Sequence, residues 1–124
     1  MAAPNIISAN TVNGKTSAAN LTSTAVTTVL NNPASSGKVL KVNTLNLANY
    51  GSSAATVSIF WSNGANTTGT SNNAIVGSLS VPANATLNVI DKSSQYYLEE
   101  NTSFGAIAAT ANTISVTVSY EDIS

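Results

Sequence analysis

The stretch Thr113-Ile114-Ser115-Val116-Thr117-Val118-Ser119-Tyr120 decides the fold. Apolar and hydroxyl side chains alternate along it without a break. Successive side chains of a strand point to opposite faces, so Ile114, Val116, Val118 and Tyr120 share one face and the hydroxyls share the other. A helix would scatter the same residues around its axis. The pattern is that of a strand with one buried face. Four residues follow it, and it is expected to be paired on both sides or against a neighbouring subunit.

The same period of two recurs upstream. In 56–61, Val57, Ile59 and Trp61 fall on one face and Thr56, Ser58 and Phe60 on the other. Ile75, Leu79 and Val81 form a third row, with Gly77 between them, and Leu87 and Val89 a fourth. The longest candidate is 38–47. Its apolar residues sit at Leu40 and Val42, then at Leu45 and Leu47, so the phase slips by one near Asn43-Thr44. A strand buried on both faces could do this, but a β-bulge is the simpler cause. Segments 25–30 and 5–12 read as weaker strands, and 95–98 and 104–109 complete the set.

Turn residues separate these runs: Asn13-Gly14, Asn31-Asn32-Pro33, Tyr50-Gly51-Ser52-Ser53 and Val81-Pro82-Ala83-Asn84. The widest gap, 62–73, is rich in Gly, Asn and Thr, and loops of that length are usually functional or mobile. No window has the period of an amphipathic helix. The expected fold is all-β: an antiparallel β-sandwich, jelly-roll-like, of seven to nine short strands. Residues 1–24 are small and polar and read as an N-terminal arm or a weak edge strand. Residues 25–124 form the sandwich domain.

Composition argues against catalysis. The 124 residues include no His and no Cys, and nine carry charge. The commonest proton carriers, nucleophiles and metal ligands are therefore missing, and no cofactor is expected. Disulfides and thiolate zinc sites are excluded outright. Four scattered lysines (Lys15, Lys38, Lys41 and Lys92), with no Arg, do not make a nucleic-acid surface. No stretch approaches the length of a membrane span, and Met1-Ala2-Ala3-Pro4 lacks the basic start of a signal peptide. The sequons at Asn20, Asn66, Asn84 and Asn101 are what an Asn- and Thr-rich chain makes by chance. A net charge of −1 gives little self-repulsion, which suits a protein that works in an assembly.

The candidate sites are few. Glu99 and Glu100 are adjacent, so on a strand they would face apart, and a solvated strand end is the leading reading. A cation site shared with Asp91 comes second, since calcium needs several oxygen ligands. Glu121 and Asp122 are expected to be hydrated. Trp61 shares its phase with Val57 and Ile59 and is expected in the core, ahead of an exposed sugar-stacking platform. The core anchors are thus Val57, Ile59, Trp61, Ile114, Val116, Val118 and Tyr120. Phe60 points the other way and is a candidate for an interface. Of Tyr96 and Tyr97, one should face in and one out, and the outward ring is a further interface candidate.

Three ordered stretches carry a family resemblance. They are 41–49 running on to 55–59, then Ser80-Val81-Pro82-Ala83-Asn84-Ala85-Thr86-Leu87, then Tyr97-Leu98-Glu99-Glu100-Asn101 with 113–122. Together they resemble small virion proteins of tailed bacteriophages, cyanophages especially, over 37–124. The resemblance implies a β-sandwich structural protein of the virion, made in the bacterial host cytoplasm. It implies a capsid decoration or cement protein first, and a tail, neck or baseplate accessory protein second. A host-surface carbohydrate-binding module is a third reading. The implied partners are the major capsid protein or other virion proteins. A homo-oligomer is expected, with a trimer favoured, and neither nucleic acid nor membrane is expected as a partner.

Overall fold

Nine strands carry the chain, in a computed structural model that describes residues 7–64 and 73–124. They are β1 (Val12–Asn20), β2 (Thr27–Asn32), β3 (Val39–Asn49), β4 (Ala55–Ser62), β5 (Asn73–Val81), β6 (Thr86–Ile90), β7 (Tyr96–Leu98), β8 (Thr102–Ala108) and β9 (Ile114–Ile123). No helix occurs among the described residues. Every pairing is antiparallel. The first sheet runs β1-β9-β3-β6, with β7 also on β3, and the second runs β2-β8-β4-β5. The chain passes from one sheet to the other between β1, β2, β3 and β4, between β5 and β6, and again between β7, β8 and β9. That winding is a jelly roll.

The alternating stretch behaves as its pattern requires. β9 is paired on both sides, with β1 and with β3. Ile114, Val116 and Val118 are fully buried, in one core cluster with Val57 and Ile59 of β4 and Phe104 and Ala106 of β8. In β3 the register against β9 shifts between Val42 and Thr44. The phase slip is therefore a bulge. It lets Leu40 and Val42, then Leu45 and Leu47, all reach the core.

Two expected core anchors sit at the rim. Trp61 and Tyr120 pack against the core but are only partly buried. Phase fixes the face of a side chain, not its depth, and both residues lie toward the end of their rows. Asp122, expected to be hydrated, is 5% exposed. The first strand also differs from the expected 5–12. β1 makes nine consecutive pairs with β9, although almost all of its side chains are exposed. An edge strand held by backbone bonds needs no apolar alternation, so its sequence carries no periodic signal. The start 1–4, most of the long 62–73 gap and the Asn66 sequon lie outside the described residues.

Two buried asparagines tie the sheets together, one at each end of the sandwich. Asn49 closes β3, is 2% exposed, and donates from Nδ2 to the carbonyls of Ser53 (2.8 Å) and Val81 (2.9 Å). Its Oδ1 accepts the Gly51 N–H at 2.8 Å. Asn32 closes β2 and donates to the carbonyls of Lys38 and Leu98, each at 2.9 Å. Its Oδ1 accepts from Ser36 Oγ. Each amide donates both its N–H groups to backbone carbonyls, one of them in the opposite sheet.

Candidate functional site

The polar chemistry gathers at one end of the sandwich, where β3 and β8 begin and β2, β4 and β9 end. On the β1 side of that end lies an ion-pair cluster. Asp122 Oδ2 accepts from Lys15 Nζ at 2.8 Å and from Lys38 Nζ at 3.2 Å. Asp122 lies opposite Asn13 of β1 and Leu40 of β3; Lys15 reaches it diagonally from two residues along β1, and Lys38 from just before β3. Burial pushes the Asp122 carboxyl up, but the hydrogen bonds and charges of the two lysines outweigh it and hold it below the usual carboxylate range. The same contact raises the Lys15 ammonium. On the outer face, Lys41 lies 3.7 Å from Glu121.

On the other side of the same end, the sandwich opens as a cleft of about 400 Å³. It is lined by Trp61 from β4, by Asn73, Ala74 and Ile75 from β5, and by Tyr96 from β7. The Tyr96 ring meets the buried Phe104 ring edge-on, with centroids 5.9 Å apart at 74°, an attractive geometry that fixes its orientation. Tyr96 pairs with inward-facing Val42, and Tyr97 with Lys41 on the outer face. The two rings therefore point to opposite faces, and both are exposed, at 37% and 44%.

The structure thus brings Trp61 and Tyr96 together and leaves the other candidates apart. Phe60 lies opposite Gly105 on the outer face of the second sheet, partly buried. Glu100 accepts the Gly37 N–H through Oε2 at 3.3 Å. Asp91 holds the turn after β6 by accepting from Ser93 N–H (2.9 Å) and Oγ (2.6 Å), bonds that lower its carboxyl. Among the described residues, no three of His, Cys, Asp or Glu gather as a metal site. Among the described residues there is no helix long and apolar enough to cross a membrane. What the cleft offers is two aromatic rings, an aliphatic floor and one amide. That set stacks and packs against a ring or an apolar side chain.

Sequence reasoning missed the Asp122 cluster and both asparagine joints. Lys15 meets Asp122 only through the β1–β9 register, which no local pattern reveals. The one available signal for Asn32 was its place between a strand and Pro33.

No family model matches the sequence, and no curated protein matches it. A chain from the acidic stable capsid structure of Helicobacter pylori bacteriophage KHP30 is similar in structure, with a TM-score of 0.54 and 12% sequence identity. The match covers 94% of this chain and 90% of that chain. Identity at this level speaks for the fold and for nothing narrower, and it gives no support to cyanophages in particular. The jelly roll built here from β1 to β9 is one that this protein shares, nearly end to end, with a chain of a phage capsid structure.

Proposed function

We propose that this protein is a non-enzymatic structural component of a phage virion, a decoration protein that binds the assembled head shell and stabilises it. One observation carries the reading. The structural match covers 94% of this chain and 90% of a chain from a phage capsid structure, so the two share one jelly roll over nearly their whole aligned lengths.

The outer face of the first sheet suits such a role. Around Thr44, Asn46, Ala48, Ser115, Thr117 and Ser119 it carries short, uncharged side chains. A partner can cover that face without stranding a buried charge. The mechanism is mass action. What binds the assembled shell and not its separate parts stabilises the shell by RT ln(1 + [L]/Kd) at each site, and the sites repeat over the particle. Particles lacking the protein should still assemble but release DNA at lower temperature. Unchanged heat release with lost tails or lost adsorption would reject the decoration reading for a tail, neck or baseplate one.

A second reading rests on the Trp61–Tyr96 cleft. Paired rings at the mouth of a β-sandwich favour a carbohydrate-binding module that touches the host surface. Binding on a glycan array that is lost in both Trp61→Ala and Tyr96→Ala would favour that module. A blank array would leave the decoration reading in place.

A further inference from the structure

The four sheet edges of this protein are not alike. β2 has six residues, breaks register between Thr28 and Leu30 and runs into Pro33. β5 breaks register twice and holds Ser78 at a φ of 50°. The far edge of the first sheet is divided between five residues of β6 and three of β7. Short, bulged or proline-marked edges keep stray strands from pairing. β1 has none of these devices. It runs nine residues without Pro and without a register break, from Val12↔Ile123 to Asn20↔Ser115. Its one charge, Lys15, is engaged by Asp122.

The bonds beyond the two ends of β1 show which backbone groups face outward. Thr11 and Ser124 exchange two bonds of 2.9 Å, and the Leu21 N–H donates to the Ile114 carbonyl at 2.9 Å. Antiparallel bonding alternates residue by residue. Asn13, Lys15, Ser17 and Ala19 therefore bond to β9, while Val12, Gly14, Thr16, Ala18 and Asn20 turn N–H and C=O away from it. Among the described residues, no strand pairs with that side.

We infer that β1 is a homotypic edge: a second copy of this chain pairs there, β1 to β1, antiparallel about a two-fold axis at Thr16. Its own sequence fits this register. Thr16 meets Thr16 of the second copy, Gly14 meets Ala18, and Val12 meets Asn20. All five outward residues fall in hydrogen-bonded positions, each giving one donor and one acceptor, so about ten N–H···O bonds join the copies. A Thr–Thr pair is favourable, and Lys15 lies opposite Ser17 instead of its own copy. The net charge of −1 offers little repulsion. Such an isologous contact closes at two copies, which replaces the trimer favoured from sequence with a dimer.

Two variants test it. The chain has no Cys, so Thr16→Cys places a single thiol beside its symmetry mate, within the reach of a disulfide. Mild oxidation should give a covalent dimer, whereas Thr117→Cys, in β9 on the same face, should not cross-link. Ala18→Pro removes an outward N–H that β9 does not use, a position where an edge strand tolerates proline. The parent should sediment as a dimer, and Ala18→Pro as a folded monomer. If Ala18→Pro fails to fold, cross-linking at position 16 decides. A parent that stays monomeric across the micromolar range, a trimer insensitive to Ala18→Pro, or no cross-link at position 16 would overturn the inference. A monomer whose Ala18→Pro variant no longer binds particles would instead assign the edge to a different protein's strand.

Discussion

Replacing Asn49 by Asp tests the polar joint that closes one end of the sandwich. The Asn49 amide donates to two carbonyls, at 2.8 and 2.9 Å, and accepts one N–H at 2.8 Å. Asp has the same shape, but once ionised it has no donor. The carbonyls of Ser53 and Val81 would then face a carboxylate with no proton between them. Two lost bonds at about 1 kcal/mol each, with the cost of leaving buried acceptors unpaired, put Asn49→Asp about 2–4 kcal/mol below the parent at pH 7. Domains are stable by about 5–15 kcal/mol, so the loss is readily measured. The pH dependence identifies the cause. Burial beside two carbonyls raises the folded pKa of the new carboxyl above its unfolded value of about 3.9. The deficit is therefore full above that raised pKa and shrinks as pH falls through it. Urea unfolding of parent and variant across a pH series measures both effects, with Asn49→Ala as a control that cannot titrate. A variant within about 0.5 kcal/mol of the parent at pH 7, or a gap that widens on acidification, would show that the Asn49 amide does not hold this joint.

The parent itself should lose stability in acid. The Asp122 carboxyl is depressed in the folded protein, so its contribution is present above the unfolded value of about 3.9 and fades as pH falls through the folded one. Asp122→Asn should cost about 1–2 kcal/mol at pH 7, kept small by the half-exposed lysines, and should flatten the acid limb of the stability curve. Trp61→Ala should cost about 2 kcal/mol in chemical unfolding, less than a fully buried Trp would, because Trp61 is only half-buried at the cleft. Gly51→Ala should cost about 1–2 kcal/mol, since a Cβ there meets Thr113 Cγ2 at 3.0 Å and Asn49 Oδ1 at 3.2 Å. Gly77→Ala, with nothing within 4 Å, should melt at or slightly above the parent.

The architecture was legible where one face of a strand is buried and the other is not. The rows at Val57 and Ile59, and at Ile114, Val116 and Val118, name their own faces, and the slip at Asn43-Thr44 reports the β3 bulge directly. β1 was misplaced because its side chains are nearly all exposed and its order comes from the backbone ladder. The candidate site was half legible. Alternation sends Tyr96 and Tyr97 to opposite faces, yet both stay exposed because β7 is three residues long at the open end. That Trp61 and Tyr96 line one cleft depends on two strands from different sheets meeting there. Asp122 was misread because its lysines are 107 and 84 residues away in sequence, and only the sheet register makes them neighbours.

A cryo-EM map of the intact virion would locate the protein. This jelly roll is expected on the outer surface of the head shell, repeated with the shell's own symmetry. Density for it confined to the tail, neck or baseplate, or absent from the particle, would contradict that placement.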